Sequence, residues 1–198
     1  MLYNSPAMSL DVRALLEQTG ALLSGHFRLS SGLHSANYVQ CALLLEEPRN
    51  AKAIGEALAD CIRNLGAERI VAPALGGVII GYTVAEALGV PFVFTERKEG
   101  QMTLRRGFHV KEGERVVIVE DVVTTGKSTR ETARVIAQEG GKVIGFASIL
   151  NRSGRANPFE PEPYEALLEL DFATYEDGSC PHCADRIPID SPGSRYSK

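Results

Sequence analysis

No stretch of this 198-residue sequence approaches the roughly 20 consecutive apolar residues that span a bilayer. Met1 to Met8 lacks a basic segment followed by an apolar one, so no secretory signal is read there. Excess charge is also missing. Lys and Arg number 21 against 25 Asp and Glu, a net of −4, which gives no reason to expect a nucleic-acid partner. Four cysteines are too few for a disulfide scaffold, and Cys41 and Cys61 fall in periodic apolar segments as small buried residues. A hydrophobic fraction of 44% with 23% charged residues excludes disorder and collagen-like structure. The absences point to one compact cytoplasmic domain with neither membrane nor nucleic acid as partner.

What is present is an alternation. Ser9 is placed to cap a first helix that stops at Gly20, and Asn50 a second that stops at Gly66. Residues 24–40 are rich in Ser, Gly and aromatics and read as short strands and turns. From Arg69 the chain runs strand (69–73), helix (78–88), strand (90–95), a polar stretch (96–111), strand (115–119), helix (127–139) and strand (143–150). These strands are aliphatic without alternating polar residues. That predicts an α/β fold with a parallel central sheet flanked by helices on both faces. After about Asn157, prolines interrupt the pattern; residues 166–175 alternate well enough for one more strand, and the end is irregular.

The most informative segment is Val116 to Thr129, VVIVEDVVTTGKST. A buried strand leads into two adjacent carboxylates, Glu120 and Asp121. Thr124, Thr125, Gly126, Lys127, Ser128 and Thr129 then open a helix. Unpaired N–H groups and the dipole at a helix N-terminus favour an anion, and glycine lets the backbone approach it. The hydroxyls add donors. The segment therefore reads as a phosphate cradle at the C-terminal edge of a parallel sheet, where open α/β sheets bind ligands. The carboxylates beside it repel phosphate and suit a sugar diol, a cation or a developing positive charge. A nucleotide P-loop is excluded, because it needs glycine where Asp121 stands.

This order of residues resembles the phosphoribosyl pyrophosphate (PRPP) loop of type I phosphoribosyltransferases. Nearly the whole chain is similar to the orotate phosphoribosyltransferases within that family. Phe27 to Ser35 (FRLSSGLHS) resembles the hood over the base, Val71 to Gly77 (VAPALGG) the pyrophosphate loop, Thr95 to Glu99 (TERKE) the start of a mobile catalytic loop, and Asn151-Arg152-Ser153 the place of an orotate-binding arginine. The resemblance implies a type I phosphoribosyltransferase fold with a small N-terminal hood. The hood is formed mainly by about 1–45, the core by about 46–156 and an appendage by about 157–198. It implies transfer of the phosphoribosyl group from PRPP to orotate in pyrimidine biosynthesis, giving orotidine 5′-monophosphate and pyrophosphate.

Carried onto this chain, Glu120, Asp121, Arg97 and Lys98 become catalytic candidates. The PRPP set adds Val122, Val123, residues 124–129, Arg105, Arg106, Gly76 and Gly77. Thr124, Arg152 and Tyr38 become orotate contacts. The resemblance further implies Mg²⁺ held mainly by substrate oxygens, with Asp121 as its candidate protein ligand, and a homodimer with shared sites. The chain also departs from the family. Ser30 stands where many members have a hood Lys, the acidic pair is Glu-Asp rather than Asp-Asp, and residues 100–107 (GQMTLRRG) lack the usual Lys and His.

Other residues read as structural. His26 and His34 are taken as hydrogen-bonded core histidines and Phe27 as a packing residue. Cys180-Pro181-His182-Cys183 is a C-x-x-C turn with no convincing second pair of zinc ligands, so plain thiols are expected, with a zinc site completed across a dimer as the alternative. Two rival functions share the PRPP loop. A uracil or purine phosphoribosyltransferase would not need an arginine at 152. A PRPP-sensing regulator would show a basic face or an added nucleic-acid-binding segment.

Overall fold

The structure, a computed structural model, describes residues 10–29 and 31–192. In chain order its elements are α1 (Val12–Gln18), β1 (Leu22–Arg28), β2 (His34–Val39), α2 (Cys41–Leu45), α3 (Pro48–Ile62), β3 (Arg69–Pro73), α4 (Gly77–Leu88), β4 (Phe92–Lys98), β5 (Gln101–Leu104), β6 (Arg115–Val123), α5 (Lys127–Gln138), β7 (Lys142–Asn151), β8 (Tyr164–Glu169), β9 (Thr174–Tyr175) and α6 (Pro181–Ala184). Six strands form the central sheet in the order β5-β4-β3-β6-β7-β8. All its neighbours pair in parallel except β4 and β5. A second sheet, β1-β2-β9, forms the hood.

The aliphatic run of β6 explains the layering. Successive side chains of a strand point to opposite faces. Val117 and Val119 pack with Ile54 and Leu58 of α3 and Ile80 and Val84 of α4. Val116 and Ile118 pack with Ile136 of α5 on the other face. Residues buried on both sides need no polar alternation, which is what the sequence displays. Burying an aliphatic side chain of this size contributes about 1.5–3 kcal/mol, so this strand anchors the residues that follow it.

Several boundaries differ from the sequence reading. Asp11 caps α1 by accepting the Ala14 N–H at 2.9 Å, and Ser9 lies outside the described residues. Glu47 rather than Asn50 caps α3, because Pro48 fits the first helical turn and starts the helix earlier. Cys61 is exposed rather than buried. β6 does not stop at Val119. It continues through both carboxylates to Val123, with Glu120 paired to Ser148 and Val122 to Leu150 of β7. The polar stretch 96–111 begins with a hairpin formed by the end of β4 and β5. Glu99 and Gly100 both take positive φ (52° and 82°), the tight turn that matches strand twist. The expected strand at 166–175 is split between β8 in the central sheet and β9 in the hood.

The C-terminal stretch is part of the hood. β9 pairs with β2, and the Arg28 N–H donates to the Asp190 carbonyl at 2.8 Å. This return brings Cys180 and Cys183 against His26 and His34, so the second pair of candidate ligands is a histidine pair from the same chain. No helix among the described residues is long and apolar enough to cross a membrane.

Candidate active site

The C-terminal ends of β3, β6 and β7 lie side by side, and the residues singled out in the sequence gather there. Glu120 is buried on β6, with Asp121 beside it and half-buried. The Asp121 N–H donates to Glu120 Oε1 at 3.2 Å, and the Val122 N–H donates to Asp121 Oδ1 at 2.8 Å. Burial pushes both carboxyls above their usual range, and for Glu120 the neighbouring Asp121 adds to the effect. Two carboxyls this close resist ionising together without a cation or a set of donors.

The loop after β3 closes over this pair. A Cβ at Gly76 would sit 2.4 Å from Asp121 Oδ2, and one at Gly77 would sit 3.1 Å from Glu120 Oε1. Only glycine leaves room for backbone and carboxylate together. The sequence resemblance assigns Gly76 and Gly77 to pyrophosphate, and the structure places their backbone against the carboxyls of Asp121 and Glu120.

Residues 124–129 turn from β6 into α5. Thr124 and Thr125 are exposed, Ser128 is half-buried and Thr129 is buried. Gly126 has φ 67°, supplies no side-chain cap, and would put a Cβ 2.8 Å from Phe159. Arg130 braces the turn from behind, donating to the carbonyls of Thr125 at 2.6 Å and Pro158 at 2.7 Å. The result is a fixed loop with an open helix N-terminus, the geometry that holds a phosphate. Thr132 carries the fixing further, sharing a 2.8 Å hydrogen bond with Thr95 of β4 in the core.

Arg152 follows β7 directly, and its N–H donates to the Val123 carbonyl at 2.8 Å. Its guanidinium lies 4.5 Å over the ring of Phe172, and its buried Nε has no hydrogen-bond partner among the described residues. Burial lowers its pKa, opposed by Tyr38 and Asp171. Tyr38, on β2, packs its ring 5.7 Å from Phe27. Burial raises its pKa, Asp121 raises it further, and Arg152 lowers it. Tyr38, Asp121 and Arg152 thus influence one another electrostatically. An arginine with an unfilled donor beside an aromatic wall fits a flat, anionic molecule.

The basic hairpin is arranged differently from the sequence expectation. Arg97 pairs with Glu131 of α5 and also donates to the Gly100 carbonyl at 2.9 Å. Arg105 and Arg106 both pair with Glu96, at 3.4 and 3.0 Å. Lys98 is exposed. These three arginines are engaged with carboxylates of the hairpin and α5, so their use on a ligand requires an exchange of partners. Ser30 lies outside the described residues.

Sequence reasoning missed Phe172, Glu131 and Glu96. The irregular tail gave no signal for the first. Glu96 carried a weak one, adjoining the basic stretch in sequence, and Glu131, on α5, carried none.

Residues 42–170 match the phosphoribosyl transferase domain family. The chain is 48% identical over 187 residues to the orotate phosphoribosyltransferase of Thermotoga maritima, covering 94% of this chain and 100% of that protein. Its fold is similar to the crystal structure of orotate phosphoribosyltransferase from Aeropyrum pernix, with TM-score 0.65 and 24% identity over 79% of this chain and 94% of the other. It is also similar to the adenine phosphoribosyltransferase of Thermoanaerobacter pseudethanolicus, with TM-score 0.59 and 21% identity over 68% and 88%. The shared fold therefore serves more than one base. The near-complete sequence match is the narrower finding, and by it the chain belongs to the orotate phosphoribosyltransferases.

Proposed function

We propose that this protein joins orotate to PRPP, forming orotidine 5′-monophosphate and releasing pyrophosphate. The observation that carries the choice of base is Arg152: a half-buried arginine whose guanidinium lies over Phe172 and whose Nε has no hydrogen-bond partner among the described residues. Orotate is a planar pyrimidine with a carboxylate, and it supplies the missing acceptor. Uracil, hypoxanthine and adenine carry no carboxylate and offer only neutral acceptors, which pair less strongly with a guanidinium.

In the reaction, the orotate ring nitrogen gives up its proton to solvent and bonds to C1 of the ribose as the C1–O bond breaks, its electron pair leaving with pyrophosphate. Positive charge develops on the ribose. Glu120 and Asp121 hold the ribose hydroxyls and offset that charge. Residues 124–129, with the preceding Val122 and Val123 fixing the end of the strand, hold the 5′-phosphate. Gly76 and Gly77 admit the pyrophosphate close to the backbone. Arg97, Lys98, Arg105 and Arg106 neutralise it, the arginines leaving Glu131 and Glu96 to do so. Thr124 and Tyr38 complete the base site with Arg152. Mg²⁺ belongs to the same reading. The all-oxygen donor set of Asp121, crowded against the Gly76 backbone, fits a hard cation shared with substrate oxygens. When bound it supplies neutralisation of the leaving pyrophosphate.

A homodimer is also part of this reading. Leu75 is 84% exposed, Tyr82 is 60% exposed and Ile79 is exposed between them. Their spacing makes one apolar stripe beside the pyrophosphate loop, which a second copy would cover. A cytoplasmic location is supported by four unpaired thiols, which suit a reducing compartment.

The test follows orotate's ultraviolet absorbance with PRPP and Mg²⁺, beside parallel reactions with uracil, hypoxanthine and adenine. Turnover of orotate alone is expected. Turnover of another base in its place overturns the assignment. One variant probes the loop geometry. Gly76→Ala should raise the KM for PRPP about tenfold by displacing the Asp121 carboxylate. It should also lower Tm by a few degrees through overpacking. An unchanged KM would remove the pyrophosphate loop from the site.

A further inference from the structure

The hood carries a group of side chains that the phosphoribosyl chemistry does not use. His26 Nε2, His34 Nδ1, Cys180 Sγ and Cys183 Sγ all lie within 4.8 Å of one another. His26, His34 and Cys180 are buried, and both cysteines are free thiols. The two inner nitrogens are 3.1 Å apart. Cys180 Sγ lies 3.5 Å from His26 Nε2, and Cys183 Sγ lies 3.7 Å from His26 Nε2 and 3.3 Å from His34 Nδ1. With Zn–N near 2.0 Å and Zn–S near 2.3 Å, a tetrahedron has edges of about 3.3 Å between nitrogens and about 3.5 Å between nitrogen and sulfur. The four separations above lie close to those edges. We propose that these four residues bind one Zn²⁺ as a structural Cys₂His₂ site that fastens the C-terminal stretch to the hood.

Two further observations point to a cation. The outer nitrogen of each histidine faces an oxygen: His26 Nδ1 is 2.8 Å from the Ile187 carbonyl, and His34 Nε2 is 3.9 Å from Asp177 Oδ1. An N–H on His26 Nδ1 donated to Ile187 leaves the Nε2 lone pair for a metal, while Asp177 lies on the outer side of His34 beyond hydrogen-bond distance. A hydrogen-bonded partner on the far nitrogen is the usual support of a metal-bound histidine. The second observation is what the tail lacks. Between residues 171 and 192, Cys180 alone is buried. A segment with no apolar core of its own, paired to the hood through a two-residue strand, needs a cross-link to stay folded. Thiolate and imidazole donors in a closed tetrahedral set select zinc over magnesium or calcium. On binding, each thiol releases its proton to solvent and each sulfur gives a lone pair to the metal, so no oxidant is required.

The full chain is purified without chelator and its metal measured by mass spectrometry. About one zinc per chain is expected, lost in the Cys180→Ser/Cys183→Ser and His26→Asn/His34→Asn double variants. Because those variants could fail to fold, the unmodified chain is also stripped with chelator and refilled with Co²⁺. The thiolate charge-transfer and ligand-field bands of tetrahedral cobalt are expected, and Tm should fall by roughly 5 °C or more on stripping and return with zinc. Absence of bound metal with no response of Tm to zinc or chelator overturns the proposal. So does zinc retained by the double-cysteine variant, or a Cys180–Cys183 disulfide in the freshly isolated protein.

Discussion

Asp121→Asn should cost the enzyme roughly 100- to 1,000-fold in kcat while making the folded protein more stable at neutral pH. The loss follows, on the proposed mechanism, from removing a carboxylate that offsets charge on the ribose. The gain follows from burial. The folded chain holds the proton of this pair to a higher pH than the unfolded chain does. Its contribution to stability is therefore intact below the ordinary carboxylate range, and declines as pH rises from there through the raised native value. An amide has no proton to give up, and its oxygen can still accept the Val122 N–H. The expected gain is a higher Tm for the variant than for the unmodified chain at pH 7 to 8. It should vanish by about pH 3, where the native aspartate is protonated in both states. Thermal melts across pH beside steady-state kinetics decide the matter. A variant that turns over normally, or one that melts lower at pH 8, contradicts the account.

Arg152→Gln should raise the KM for orotate by about 100-fold, the worth of a charge-assisted bidentate hydrogen-bonded pair in a buried site, and leave the KM for PRPP within a few-fold. Arg152→Lys should recover only part of it, because an ammonium cannot reproduce the planar fork or its stacking on Phe172. The split between the two KM values separates base recognition from general damage. Equal rises in both would assign Arg152 a structural role.

The sequence displayed the parts of the fold that rest on burial from both sides. β3, β6 and β7 are continuous aliphatic runs, and no competing local preference disguised them. It was less informative where the deciding interaction is distant. Glu120 and Asp121 looked like a loop because they are charged, yet the β7 ladder keeps them in the strand. The tail looked irregular because its partners, β2 and the two histidines, are more than a hundred residues away. At the site, the phosphate loop was legible from local spacing alone. Phe172 beneath Arg152 was not, since nothing in local sequence relates the end of β7 to the segment after β8.

The two walls of the cleft differ in how they are held. Glu120 and Asp121 sit on a strand clamped between neighbours on both sides, while Arg105 and Arg106 follow β5, which closes the sheet and has a neighbour on one side only. On the proposed reading, ribose recognition thus sits on a strand paired on both sides, and neutralisation of the pyrophosphate on residues at one margin of the sheet. Warming should therefore loosen turnover before it loosens binding of the ribose, and the temperature at which activity fails should lie below the temperature at which the sheet melts.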